Sequence, residues 1–290
     1  MSDILQFVAR LAIVTFIVSS MLAMGLSLTP RAIIGPLKNV RLVVFSLLVN
    51  FVVAPALAYL LTIIIPLQPP HAIGLLLLSG AAGAPFLPKL AEAARGDLAF
   101  SVALMVLLMA GTMLFMPFGL PLLIPGMHTS PWEIAQPLLL LMVLPLVGGM
   151  FLQSRAAGFS AKCRAVVGVV SNVSLLLLLV LLIGLNFRAL LGVVGSGAIA
   201  ASLLFVALLL VAGYLAGGSK SQMKSVLGLG SAARNIGAAL PIASAQGNPR
   251  IVIMLLVVTL VGVFVSLAAA HWLRRGIACG SAHNSPSDGE

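Results

Sequence analysis

The chain alternates between long apolar runs and short polar segments, giving nine apolar blocks. They lie at about 4–29, 42–65, 72–94, 98–124, 132–153, 165–185, 190–216, 225–246 and 251–273. Each is close to the ~20 residues a helix needs to cross a hydrocarbon core. Apolar residues run on without a break inside the blocks, as at Leu175–Leu182, whereas membrane-spanning strands alternate apolar and polar positions. The pattern predicts an all-α polytopic membrane protein of nine transmembrane helices. Its transmembrane region covers 1–273, and 274–290 reads as a polar, disordered tail.

Composition agrees. The 290 residues are 61% hydrophobic and 8% charged, against about 25% charged in soluble domains. The first block follows Met-Ser-Asp with no basic leader, and its apolar run is too long for a signal peptide, so a retained first helix is expected. Cys163 and Cys279 fall at predicted helix ends, with no disulfide or metal pairing suggested.

The net charge of +10 is organised by the blocks. Twelve of the sixteen basic residues fall on one side: Arg31, Lys38, Arg41, Lys89, Arg95, Arg155, Lys162, Arg164, Lys220, Lys224, Arg274 and Arg275. The opposite loops hold Arg188 and Arg250; Arg10 and Arg234 lie within blocks. By the positive-inside rule the N-terminus is outside and the C-terminus cytoplasmic, in a multi-pass inner-membrane protein. The charge is thereby assigned to the lipid bilayer, not to nucleic acid.

Two blocks are irregular. The third reads Ser79-Gly-Ala-Ala-Gly-Ala-Pro85, and Gly83, Pro85 and Pro88 mark a helix break. The eighth reads Gly230-Ser-Ala-Ala-Arg-Asn-Ile-Gly237, with Gly230 and Gly237 flanking the second break. The predicted topology runs them in opposite directions. Two interrupted helices at corresponding places in two halves point to an inverted-repeat secondary transporter with its site between them.

The candidate chemistry is polar and sparse. A charge at the centre of a spanning helix costs about 2.5–3.5 kcal/mol on insertion scales, so Arg234 stands out. It is either a fixed cation facing a polar cavity or a structural arginine bonded to carbonyls of the opposite broken helix. Asn235 is a ligand or a hydrogen bonder at the crossing. Asn50 and Ser101 are polar positions in apolar spans, and a lone serine such as Ser101 commonly bonds back to its own helix. Lys89, Glu92, Arg95 and Asp97 read as a solvated ion network at a helix end. No acid or histidine is predicted near the midplane, which disfavours a proton relay. There is no phosphate loop, metal-ligand cluster or hydrolytic triad, so the chain reads as a non-enzyme without metal or cofactor.

Three segments resemble the bile acid:sodium symporter family. Met24-Gly-Leu-Ser-Leu-Thr-Pro30 resembles its early M-G-L-T-L. Ala94-Arg-Gly-Asp-Leu-Ala-Phe-Ser-Val-Ala103 is similar to its A-R-G-(N/D)-x-A-L-S-V-A, and Gly230–Gly237 falls at its second broken helix, E-x-G-x-Q-N-S-G. The resemblance implies a panel domain facing a core domain of the second, third, fourth, seventh, eighth and ninth spans, with two crossing broken helices. It also implies alternating access for organic anions, usually with two sodium ions. Asn235, Ser101 and Asn50 fall at positions the family uses at its ion sites. The shared acidic ligand, however, falls at Gly230, a glutamine at Arg234, a serine and an asparagine at Leu87 and Pro88, and a threonine at Met105. Like charges about 4 Å apart repel by about 4 kcal/mol at an effective dielectric of 20. The expectation is a carrier of a small organic anion in which neither sodium site is intact and Arg234 stands in as a built-in cation. The alternatives are a conventional sodium-coupled symporter with a rebuilt ion site, and a non-transporting membrane receptor or scaffold.

Overall fold

The computed structural model describes residues 2–28, 38–124, 130–185, 192, 193 and 195–282. They form helices and connecting turns, with no strand among the described residues. In chain order the helices are α1 Ser2–Gly25, α2 Val40–Ile64, α3 Pro69–Ser79, α4 Leu87–Ala93, α5 Leu98–Leu123 and α6 Pro131–Arg155. They continue as α7 Ala157–Leu185, α8 Ala198–Ala216, α9 Ser221–Ala232, α10 Ile236–Ala245 and α11 Pro249–Ala282. Among the described residues seven helical segments are long and apolar enough to cross a membrane, with Ser221–Ala245 counted across its break; Leu11–Gly25 and Pro69–Ser79 are shorter apolar helices.

Some boundaries differ from those the apolar runs predict. Helix α8 begins at Ala198, not near Leu190, because Gly195 and Gly197 take left-handed conformations at φ +86° and +78° that no helix continues through. Helix α11 runs past Leu273 to Ala282, into the segment expected to be disordered; the remainder, 283–290, lies outside the described residues.

Helices α2 and α6 each contain a π turn, Val49–Val53 and Leu139–Val143. In both, a proline stands just beyond it, Pro55 and Pro145. A proline lacks the N–H that would close the ladder; the π turn re-pairs it, with Ala54 N–H on Val49 O and Leu144 N–H on Leu139 O. Asn50 sits in the first of these turns.

The A-R-G-D stretch is the turn from α4 to α5. Arg95 adopts φ +54°, and Gly96 N–H returns to Ala91 O at 2.8 Å. A Cβ on Gly96 would lie 2.7 Å from Val226 Cγ2, and Asp97 Oδ1 caps α5 by accepting from Phe100 N–H at 2.9 Å. Asp97 therefore serves the helix end, a role the expected ion network did not give it.

Helix α1 packs along α6 and α7, while α8 packs along α9, α11 and α2, and α11 along α3. Without a hydrophobic drive between helices in lipid, close approach rests on small residues. A Cβ on Gly149 of α6 would lie 2.7 Å from Leu22 O of α1, and one on Gly213 of α8 would lie 2.6 Å from Leu227 O of α9. Outward faces carry large apolar side chains such as Leu122, Leu215 and Phe264.

Gly148 and Gly149 are adjacent, yet a Cβ on Gly148 would meet nothing within 4 Å. Gly149→Ala is expected to cost about 1–3 kcal/mol by overpacking, and Gly148→Ala to be neutral or slightly stabilising. Thermal unfolding of both variants in detergent checks this.

Candidate functional site

Helix α3 ends at Ser79 and α4 begins at Leu87. The intervening backbone follows no regular secondary structure at 81–84 and is buried, with Ala81, Ala82 and Ala84 at most 1% exposed. Gly83 takes φ +79°, and a Cβ there would lie 2.6 Å from Met109 N of α5, so glycine is required. Pro85 lies in the break, and Pro88 lies in the first turn of α4. The second break is shorter, Ala233–Asn235 between α9 and α10. Gly230 lies within α9 and Gly237 in the first turn of α10, so they flank that break.

A buried backbone without helical bonds needs other partners, and each break supplies them to the other. Asn235 N–H donates to Ala81 O at 2.9 Å, and Asn235 Nδ2 donates to Gly83 O at 3.2 Å. Its Oδ1 meanwhile caps α10, accepting from Ala238 N–H at 3.3 Å. Arg234 is 3% exposed. Its Nε donates to Leu78 O at 3.2 Å, and one terminal nitrogen donates to Asn50 Oδ1 at 2.8 Å and Ser231 O at 3.2 Å. The other donates to Ser79 O. Asn50 Nδ2 donates to Ser46 O at 3.0 Å and Ser231 Oγ at 3.1 Å, which aims its Oδ1 at the guanidinium.

The structure thus joins Arg234, Asn235 and Asn50. It does not join Ser101, whose fully buried hydroxyl donates to Leu98 O one turn back at 2.8 Å. Two residues escaped the sequence reading. Thr112 Oγ1 accepts from Ala82 N–H at 2.8 Å and donates to Ala82 O at 3.1 Å, supporting the first break from α5. Its only signal was a hydroxyl in the middle of an apolar run. Ser231 binds Asn50; it stood in the singled-out stretch without a role.

Beside the crossing lies a cavity of about 420 Å³. Its walls are α1, the first break with α4, α5 and α7. Ser20, Ser171 and Asn172 line it, Pro85 brings it to the break, and Lys89 and Arg164 add two cations. Both cations are exposed, so they stand at a mouth. Gly230 faces elsewhere: a Cβ there would lie 3.0 Å from Leu87 Cδ2 and 3.1 Å from Leu104 Cδ2, an apolar surround. Among the described residues no group of three or more His, Cys, Asp or Glu could hold a metal ion.

The family model described as the sodium bile acid symporter family matches residues 14–193, more than half of the chain. The chain belongs to the sodium bile acid symporter family. It is therefore a multi-pass membrane protein of a transporter family. The matched residues include Asn50, the first break, Thr112 and all the residues that line the cavity. Arg234 and the second break lie beyond them. No curated protein matches the chain.

Thr112→Val is expected to orphan the Ala82 N–H and lower stability by about 1–3 kcal/mol, while Thr112→Ser keeps most of it. Thermal unfolding in detergent reads both.

Proposed function

We propose that the protein is a secondary transporter that carries a small organic anion across the inner membrane by alternating access. The observation that carries this reading is the cavity of about 420 Å³ between α1 with α7 and the first broken helix, with Lys89 and Arg164 at its mouth. Its volume falls in the range of small-molecule sites, roughly 300–1,000 Å³. Hydroxyl and amide groups line it and cations flank it, which suits a carboxylate- or sulfonate-bearing solute more than a cation. Lys89 and Arg164 belong to the basic segments that the positive-inside rule puts in the cytoplasm, so the described state is open inward.

The packing supports two bodies for the motion. Helices α1, α6 and α7 act as the panel, and α2, α3 with α4, α5, α8, α9 with α10, and α11 act as the core. Counting each broken pair once gives nine spans, with the N-terminus outside and the C-terminus in the cytoplasm. Sliding of the core past the panel then moves the cavity from one membrane face to the other while the crossing itself stays bonded.

Lys89→Gln and Arg164→Gln are each expected to raise the apparent KM for an anionic substrate about tenfold with little loss of protein. The measurement is uptake into proteoliposomes of labelled mono- and dicarboxylates and sulfonates. Saturable binding without uptake of any of them would turn the reading to a non-transporting receptor.

A further inference from the structure

The ends of two half-helices meet at one point. Leu78 O and Ser79 O belong to the last turn of α3, and Ser231 O belongs to the last turn of α9. The carbonyl end of a helix carries about half a negative charge, and in transporters such ends, with unwound carbonyls, hold the coupling cation. Here all three oxygens, together with Asn50 Oδ1, accept from the Arg234 guanidinium. An arginine side chain stays charged in proteins. The neighbouring space at Gly230 is closed by Leu87 and Leu104 methyls, which offer no oxygen.

We propose that Arg234 is the cation of this crossing: a tethered guanidinium occupies the half-helix cation site, and the carrier binds no sodium there. A coupling ion must bind and leave in each cycle. A cation covalently attached to the chain never leaves, so this site couples anion flux to no sodium gradient. This flux consequence rests on the transporter reading above; the occupancy of the site does not.

Thermal unfolding of purified protein in detergent tests the occupancy. Sodium and potassium chloride are compared at constant ionic strength. The wild type is expected to unfold at one temperature in both salts. Arg234→Gln is expected to gain a saturable, sodium-specific rise of about 5 °C, because four oxygens are left facing a vacated space and the glutamine adds a fifth. A saturable sodium-specific rise in the wild type overturns the proposal, and so does a folded Arg234→Gln that ignores sodium. If Arg234→Gln does not fold, Arg234→Lys replaces it. That ammonium keeps the charge in place, and a sodium response from it overturns the proposal, as indifference supports it. Anion uptake into sealed vesicles is the second arm: flux unchanged when potassium replaces sodium supports sodium-independent transport, and flux that demands sodium overturns it. Vesicles without any flux would count against the transporter reading alone, leaving the unfolding arm to judge the arginine.

Discussion

Backbone groups that leave a helix inside a membrane protein must find partners where water cannot supply them. In this chain two such breaks lie against each other, and each satisfies the other. The carbonyls of Ala81 and Gly83 take the backbone and side-chain amides of Asn235. Those of Leu78 and Ser79 take the Arg234 guanidinium. These bonds hold helices far apart in sequence at one crossing.

The surrounding elements are shaped to that requirement. The proline-driven π turn of α2 carries Asn50 into the core, where it meets both Arg234 and Ser231. Helix α5 brings Thr112 to the Ala82 amide of the first break. Close backbone contact between α8 and α9 at Gly213 sets the second broken helix against its neighbour. The charge of Arg234 is tolerable because oxygen acceptors converge on it from several elements. The burial that makes the group costly in isolation strengthens those bonds.

A bonded crossing and a cavity lined by polar groups lie side by side in this fold. The cavity is walled partly by α1 and α7, and none of the residues that line it takes part in the Arg234 or Asn235 bonds. Membership of a transporter family fits this arrangement. The charged group at the crossing is a side chain of the protein itself, Arg234.

The apolar blocks by themselves determined the helical membrane class, because hydrocarbon leaves few other ways to satisfy a backbone. The glycines and prolines of 79–88 and 228–241 located both breaks, since those residues alone mark interruptions in otherwise apolar helices. Composition also singled out Arg234, Asn235 and Asn50, as polar groups in lipid-spanning runs are costly. Which oxygens they bind was decided only by the tertiary structure, because Leu78, Ser79, Asn50 and Ser231 converge from segments up to 184 positions away. The same holds for Thr112 and for the cavity. A buried hydroxyl reads alike whether it bonds its own helix, as Ser101 does, or another's broken backbone. Lys89 and Arg164 read as loop charges until folding sets them at one mouth. Sequence pattern reports the cost of placing a group in the membrane, and only packing reports who meets that cost.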